Sequence, residues 1–377
     1  MTTIADLETP CLLLDRARLE RNVARMLARC RDLGVAIRPH VKTPKSLDIA
    51  RLAHGGAIGA ITVSTLREAE HFARHGYRDI LHATAIVPAK LARVAAIERN
   101  TGAVVRVVLD SVAVARGVAD LARTGTAPIE VLIEIDCGEH RSGVAPDDPA
   151  LTAIADCLRP GPGAKLVGVM THAGHSYATD DVAAVRAIAG HERDTAVAAA
   201  RALRRAGHPC PMVSVGSTPT ILHAEHLEGV TEARCGVYAL WDLAQASRGM
   251  CRLDDIAATV LATVIGHNHA GGSLILDAGA LALSKDVSAN KFMPAAGYGL
   301  LCDAQTAAPL APLSVSEVHQ EHGTVRVPDT SWFDHLPIGT QVRIMPNHTC
   351  LTCAAYDTYH VVEGARIVDT WGRINGW

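Results

Sequence analysis

Hydrophobic positions along the first two-thirds of the chain fall into two alternating patterns. Short runs rich in Val, Ile and Leu read as strands. Each is followed by an Ala- and Arg-rich segment with apolar residues at helical spacing. Eight strands are expected, at 36–42 (AIRPHVK), 60–65, 79–85, 104–110, 129–136, 164–172, 212–218 and 230–238. The segments between them read as helices, among them SLDIARLAHG, TLREAEHFARHG and DDVAAVRAIAGHERDTAVAAARALRRAGH, the last stopped by Gly-His-Pro. Eight strands alternating with helices predict a closed parallel (β/α)8 barrel within an α/β chain. The rival is an open doubly wound sheet. Against it, no G-x-G-x-x-G follows the first strand, and GAIGAI at 57–62 is not that motif.

Beyond about residue 250 the pattern changes. ATVLATVIGHN, GGSLILDAGA, GTVRV, GTQVRIMPN and TYHVVEGARIVDTW read as strands separated by Gly, Pro and Asn turns. The expected organisation is a barrel over 16–250 and an all-β domain over 251–377. The strand at 9–15 (TPCLLLD) precedes the barrel repeat and is assigned to the β domain.

Composition narrows the function classes. The chain has 377 residues, a formal net charge of −3 and no basic stripe, which argues against a nucleic-acid or membrane-surface partner. No run approaches the roughly 18 apolar residues of a membrane span. Ten cysteines are scattered singly for the most part, several inside apolar stretches, which suits reduced thiols rather than a disulfide framework. MTTIADLETP lacks a basic segment followed by an apolar run, so a cytoplasmic protein is expected.

Active sites of such barrels lie at the carboxyl ends of the strands. Lys42 ends the first expected strand. Asp136, Glu139, His140 and Arg141 follow the fifth, and Thr171-His172 ends the sixth, with His175 beyond it. Gly216-Ser217-Thr218 follow the seventh, and Gly236 lies in the eighth. Glycines allow close approach of backbone, and hydroxyls donate to oxyanions, so Gly216, Ser217, Thr218 and Gly236 suit a phosphate cup after the last two strands; otherwise they are turn formers. A lysine beside a phosphate site is what pyridoxal 5′-phosphate (PLP) requires, because its amine condenses with the aldehyde as a Schiff base. The bland reading of Lys42 is a solvated lysine ahead of a helix. Arg141 is open to bonding the ring oxygen or to pairing with Asp136 or Glu139. His172 is open to contacting the ring or to being a core histidine.

In the β domain, Pro346-Asn347-His348-Thr349-Cys350-Leu351-Thr352-Cys353 holds a second cluster. In an extended segment His348 and Cys350 share one face, and imidazole plus thiolate are preferred zinc ligands. Two local ligands would leave an open, Lewis-acidic site. The rivals are packing or a redox Cys350-x-x-Cys353, the latter disfavoured because no helix is expected to begin there. His267 and His269 are read as surface residues, and His319-Gln320-Glu321-His322-Gly323 as either acid–base groups or a polar turn.

These motifs resemble the fold-type III PLP enzymes of the D-serine dehydratase and D-threonine aldolase family, whose barrel and β domain are similar to alanine racemase. The resemblance runs through TPCLLLD, RPHVKTPKS, ITVSTLREAE, IEIDCGEHRSGV, THAGHSY, VSVGSTPT, GVTEARCGVY, DAG, QEHG and PNHTCLT. It implies Lys42 as the PLP lysine, and a phosphate cup of Gly216, Ser217, Thr218, Gly236 and Tyr238. It places Arg141 and His172 at the ring and a divalent metal on His348 and Cys350. It also implies a homodimer whose active sites combine one barrel with the partner's β domain.

Eliminating members carry His-x-Cys at the metal and aldolases His-x-Asp, so His348-Thr349-Cys350 points to dehydration. Thiolate favours zinc over manganese, magnesium or cobalt. The expected activity is β-elimination from a D-3-hydroxy amino acid such as D-serine, D-threonine or D-threo-3-hydroxyaspartate, giving a 2-oxo acid and ammonia. Retro-aldol cleavage to glycine and an aldehyde is the alternative; a racemase or a non-catalytic PLP carrier fits less well. An acidic substrate would need a cation, for which His140, His175 and Arg234 are candidates.

Overall fold

β-branched runs in the first two-thirds of the chain form a ring of parallel strands, each buried between an interior and a helical layer. The computed structural model describes residues 2–122, 128–159 and 163–377. Strand β1 (Cys11–Asp15) and helix α1 (Arg16–Asp32) open the chain. The ring consists of β2 (Ala36–Ile37), β3 (Ile61–Val63), β4 (Asp79–Ala85), β5 (Val104–Leu109), β6 (Ile129–Ile135), β7 (Ala164–Thr171), β8 (Met212–Val215) and β9 (Glu232–Ala233). These pair in the order β2-β9-β8-β7-β6-β5-β4-β3, so neighbours in space are neighbours in sequence. A helix follows each strand from β2 to β8: α2 (Leu47–Leu52), α3 (Leu66–Arg74), α4 (Leu91–Thr101), α5 (Val112–Ala122), α6 (Pro149–Cys157), α7 (Val182–Arg205) and α8 (Thr218–His223).

The ring closes just beyond β2. The N–H groups of Arg38 and His40 donate to the carbonyls of Ala233 and Cys235 on one side. On the other, Val41 N–H donates to Thr62 O, and Thr62 N–H to Pro39 O, with His40 bridging Thr62 in parallel sense. Regular strand therefore ends at Ile37 rather than at Lys42, because Pro39 has no N–H to continue the ladder. At the closure the chain passes so near β9 that a Cβ on Gly236 would lie 2.7 Å from His40 O.

Alternation along the strands builds the interior in layers. The lowest is charged. Arg38 Nη1 lies 2.6 Å from Asp79 Oδ1, and Arg38 Nε lies 2.8 Å from Glu232 Oε2. Arg106 pairs with Asp79 and Glu130, and Glu130 with Lys165. Two residues further along β4, β5 and β6, Leu81, Val108 and Leu132 form an apolar layer with Met170, all but excluded from solvent. Two residues beyond Arg38, Met170, Ser214 and Glu232 come His40, His172, Gly216 and Arg234, at the mouth.

The second compact unit combines Met1–Ala24 with Val237–Asn375, while the barrel unit takes Arg25–Gly236 and Gly376–Trp377. The division falls at Gly236–Val237 rather than at 250–251. The reason is local: Ala244 N–H donates to Asn347 O, and Asp242 caps a short turn and accepts from Thr349 N–H, which ties 237–250 to the β domain. Its sheet contains β10 (Ala258–Asn268), β11 (Ser273–Leu276), β12 (Gly299–Asp303), β13 (Pro309–Ser314), β14 (Glu317–Val318), β15 (Gly323–Arg326), β16 (Gln341–Pro346), β17 (Thr358–Glu363) and β18 (Arg366–Gly372). The main path runs β13-β12-β16-β10-β1-β17-β18, with β1 antiparallel to β10 and parallel to β17. A bulge at Val264–Gly266 lets β10 turn to pair with β11, which pairs in turn with β15.

Gly236→Ala tests the closure. Its new methyl has nowhere to go without moving His40, so a loss of about 1–3 kcal/mol in unfolding free energy is expected by urea denaturation. An unchanged midpoint would show that the contact yields freely.

Candidate active site

Lys42 sits in the turn that follows the closure, at 41–44, with an exposed side chain. The turn is held from beneath. Lys45 takes a left-handed conformation (φ 46°), its N–H donates to Val41 O at 2.7 Å, and its ammonium lies 3.2 Å from Glu68. Glu68 is fully buried at the start of α3 and also accepts from Ser64 N–H and the Thr65 hydroxyl. One carboxylate thus fastens the loops after the first two barrel strands.

Two neutral imidazoles and a guanidinium lie near Lys42. His172 Nδ1 is 2.7 Å from Gly216 O. A carbonyl only accepts, so Nδ1 carries the proton. Burial, and then the Lys42 cation, push the His172 pKa down to about 3. Burial, Lys42, Arg234 and His172 hold His40 well below the usual histidine range. Arg234 is itself buried, donating to Ser214 Oγ at 2.7 Å and Thr171 O at 2.5 Å. It is committed to the barrel interior rather than left for a substrate carboxylate.

The expected cup residues come together at the ends of β8 and β9. Ser217 caps α8, accepting from Thr220 N–H, and its hydroxyl meets Ser176 at 2.8 Å. Thr218 N–H donates to the Tyr177 hydroxyl at 3.3 Å. Gly216 shapes the cup without lending it a donor. Its N–H goes to Glu192 at 3.0 Å, its carbonyl to His172, and its φ of 138° with Arg234 O 2.3 Å from any Cβ demands glycine. Glu192, buried on α7, also accepts from Ala173 N–H at 3.0 Å, and burial raises its pKa. A polar residue inside an Ala-rich helix was the only sign of it in the sequence. The Thr218 hydroxyl is buried with no hydrogen-bond partner among the described residues, which fits a group that binds phosphate.

The remaining candidates make their own contacts, though the charge of Arg141 still reaches His172. Arg141 is exposed and pairs with Glu139 at 3.4 Å, while Asp136 takes His140 at 2.7 Å instead. His175 lies beside Gly138 and feels Glu139 and Asp136. Tyr238 is buried in a single turn, Val237–Ala239, that belongs to the β-domain unit.

In the β domain His348 and Cys350 converge for a different reason than strand alternation. His348 is the N-cap of a helical turn, Thr349–Cys353, that begins where none was expected. Asp242, fully buried, accepts Thr349 N–H at 3.0 Å and steadies that turn. Asp286 Oδ2 lies 3.1 Å from His348 Nδ1. Burial alone would favour neutral His348, but the hydrogen bond and charge of Cys350, with Asp242 and Asp286, push its pKa up to about 10. Among the described residues, no group of three or more His, Cys, Asp or Glu is arranged to hold a metal ion. The two donors brought together are the imidazole of His348 and the thiol of Cys350, chemically suited to a soft divalent ion. Cys350 and Cys353 are both free thiols, Cys353 buried against the Thr349 hydroxyl. His267 and His269 pack on Phe333, and His319 to His322 forms the turn between β14 and β15.

A ring of parallel strands joined in one chain to a β-sheet domain is the architecture of the PLP-binding barrel enzymes. The chain belongs to the family described as "Alanine racemase, N-terminal domain", matched over residues 14–242, and its β domain matches the "Putative serine dehydratase domain" over 257–362. It is 43% identical to the D-threo-3-hydroxyaspartate dehydratase of Delftia sp. (strain HT23), over 100% of this chain and 99% of that one. The solved structure of that enzyme superposes with a TM-score of 0.96, each chain fully covered. A cysteine-to-alanine mutant of it was solved in the metal-free form, also at a TM-score of 0.96. The D-serine dehydratase of Dictyostelium discoideum is 30% identical over 96% of this chain and 94% of its own. The D-threonine aldolase of Filomicrobium marinum superposes at a TM-score of 0.83 with 25% identity, covering 98% and 95%. The chain is accordingly a PLP-dependent lyase of the dehydratase and aldolase group. None of the helices among the described residues is long and apolar enough to cross a membrane.

The His172 environment makes a pH-specific expectation. Its folded pKa lies far below the unfolded value of about 6.5, so it stays neutral throughout the physiological range and gains a proton only near pH 3. Nitrogen-15 NMR should show an Nδ1–H tautomer that does not titrate from about pH 8 to about pH 5. A titration centred near the unperturbed value would contradict this environment.

Proposed function

We propose that this enzyme removes water from a D-3-hydroxy amino acid, with D-threo-3-hydroxyaspartate as the first substrate to test, releasing a 2-oxo acid and ammonia. The observation that carries this reading is Cys350 beside His348. A thiolate and an imidazole make a soft donor set that favours zinc and leaves coordination positions open to a substrate hydroxyl.

When bound, PLP delocalises the charge that develops at the substrate α-carbon. A zinc ion on His348 and Cys350 would polarise the β-hydroxyl as it leaves. Lys42 would hold the cofactor through Nζ, and the same amine would take the α-proton of the substrate. Thr218, Ser217 and Gly236 would bind the phosphate, with the Thr218 hydroxyl as donor. His172, fixed by Gly216, would offer the cofactor a neutral imidazole, and Arg141 would supply a cation to its ring oxygen. This assignment is supported by the buried unpartnered Thr218 hydroxyl and by the low His172 pKa. The β domain of a second copy would complete each site in a homodimer, and the free thiols suit a cytoplasmic location. Retro-aldol cleavage is the second reading, favoured by the likeness to an aldolase structure.

Incubation with D-threo-3-hydroxyaspartate should yield oxaloacetate and ammonia. Glycine and glyoxylate in their place would establish cleavage. Lys42→Ala should lose the visible absorbance of bound PLP and about 10²–10⁴-fold or more in turnover; unchanged colour would refute its role. Chelation should abolish turnover and leave that absorbance in place, and an unaffected rate would remove the metal from the reaction.

A further inference from the structure

We propose that Asp286 is a positioning residue that presents His348 to the metal through Nε2. This inference rests on the reading of His348 and Cys350 as a metal site. Asp286 Oδ2 lies 3.1 Å from His348 Nδ1, so Nδ1 is taken up by the carboxylate and Nε2 is left as the ligand nitrogen. A carboxylate on the far ring nitrogen fixes the tautomer, aims the ring and raises its basicity, which strengthens metal binding.

The rigidity of Asp286 supports this role more than its proximity alone. Its other oxygen accepts from the Ser288 N–H at 2.8 Å and from the Ser288 hydroxyl. The segment on either side is fastened to the same piece of chain that carries His348. The Thr352 hydroxyl donates to Leu283 O at 2.8 Å, and the Tyr356 hydroxyl to Ala282 O at 3.1 Å. Downstream, Ala289 N–H donates to Asn347 Oδ1 at 2.9 Å, one residue before His348. Arg248 reaches Ser288 O at 3.2 Å. The loop and the helical turn Thr349–Cys353 therefore form one braced unit in which the carboxylate cannot drift from the ring. Ser284 adopts φ 69° within this loop, a conformation kept because both its flanks are held. With only two protein ligands, the site has little other means of fixing the imidazole.

The test is metal affinity of the PLP-loaded enzyme, stripped with a chelator and titrated with zinc and, separately, with manganese. Asp286→Ala should raise the metal Kd about 10–100-fold, with the absorbance of bound PLP and the melting temperature unchanged. Asp286→Asn should fall between, because an amide oxygen still accepts from Nδ1–H but carries no charge. A Kd within about twofold of wild type in both variants would overturn the proposal. If Asp286→Ala fails to fold, Asp286→Asn alone decides on the same criterion. His348→Ala is the control. If it binds metal as the wild type does, the metal reading itself has failed and the proposal falls with it, a pattern distinct from a silent Asp286.

Discussion

The approach of the His40 carbonyl to Gly236 is the constraint on which the barrel depends. Eight strands close into a ring only if the last lies against the first, and here they meet with no room for a side chain. Because β2 is two residues long, its ladder with β9 is short, and the junction with β3 is carried by the isolated bridge between His40 and Thr62. Those bonds fix where the chain must turn. Lys42 is on that turn, so its position is a by-product of how the ring shuts. Lys45 and Glu68 then hold the turn against the next strand.

Above and below this closure the interior is graded by polarity. A charged layer of Arg38, Asp79, Arg106, Glu130 and Glu232 lies lowest, and each ion there has a partner. Buried ion pairs of this kind are weak as stabilisers but costly to break singly, so they enforce one arrangement of strands. The apolar layer of Leu81, Val108, Leu132 and Met170 lies above them on one side, while Glu232 and Ser214 connect Arg38 to Arg234 at the mouth on the other. At the mouth the polar groups return, and burial, then the Lys42 cation, lowers the pKa of both imidazoles. The same alternation that makes a strand thus sorts its residues into floor, filling and site.

Much of this was legible in the residues. All eight barrel strands, and the β strand at 9–15, lie where apolar β-branched runs predict them, because burial on both faces leaves little freedom of composition. The limits of strands were less legible. Pro39 cuts the first strand short, and the 217–218 pair caps a helix instead of ending a strand. The helical turn at Thr349–Cys353 was hidden because five residues show no periodicity, and it depends on Asp242 from a distant segment. The residues missed altogether, Glu192 and Asp286, act through backbone atoms or another side chain. Their positions come from tertiary structure; the Ala-rich helix around Glu192 is the one local sign, and nothing in the local sequence distinguishes Asp286 from an ordinary surface acid.

The apolar layer has a consequence for traffic. Leu81, Val108 and Leu132 are fully excluded from solvent above paired ions, so among the described residues the barrel interior is filled rather than open along its axis. Whatever enters the mouth must leave by it. Two products would then share a single route with the next incoming molecule, and the departing acid would compete with its successor for the same opening.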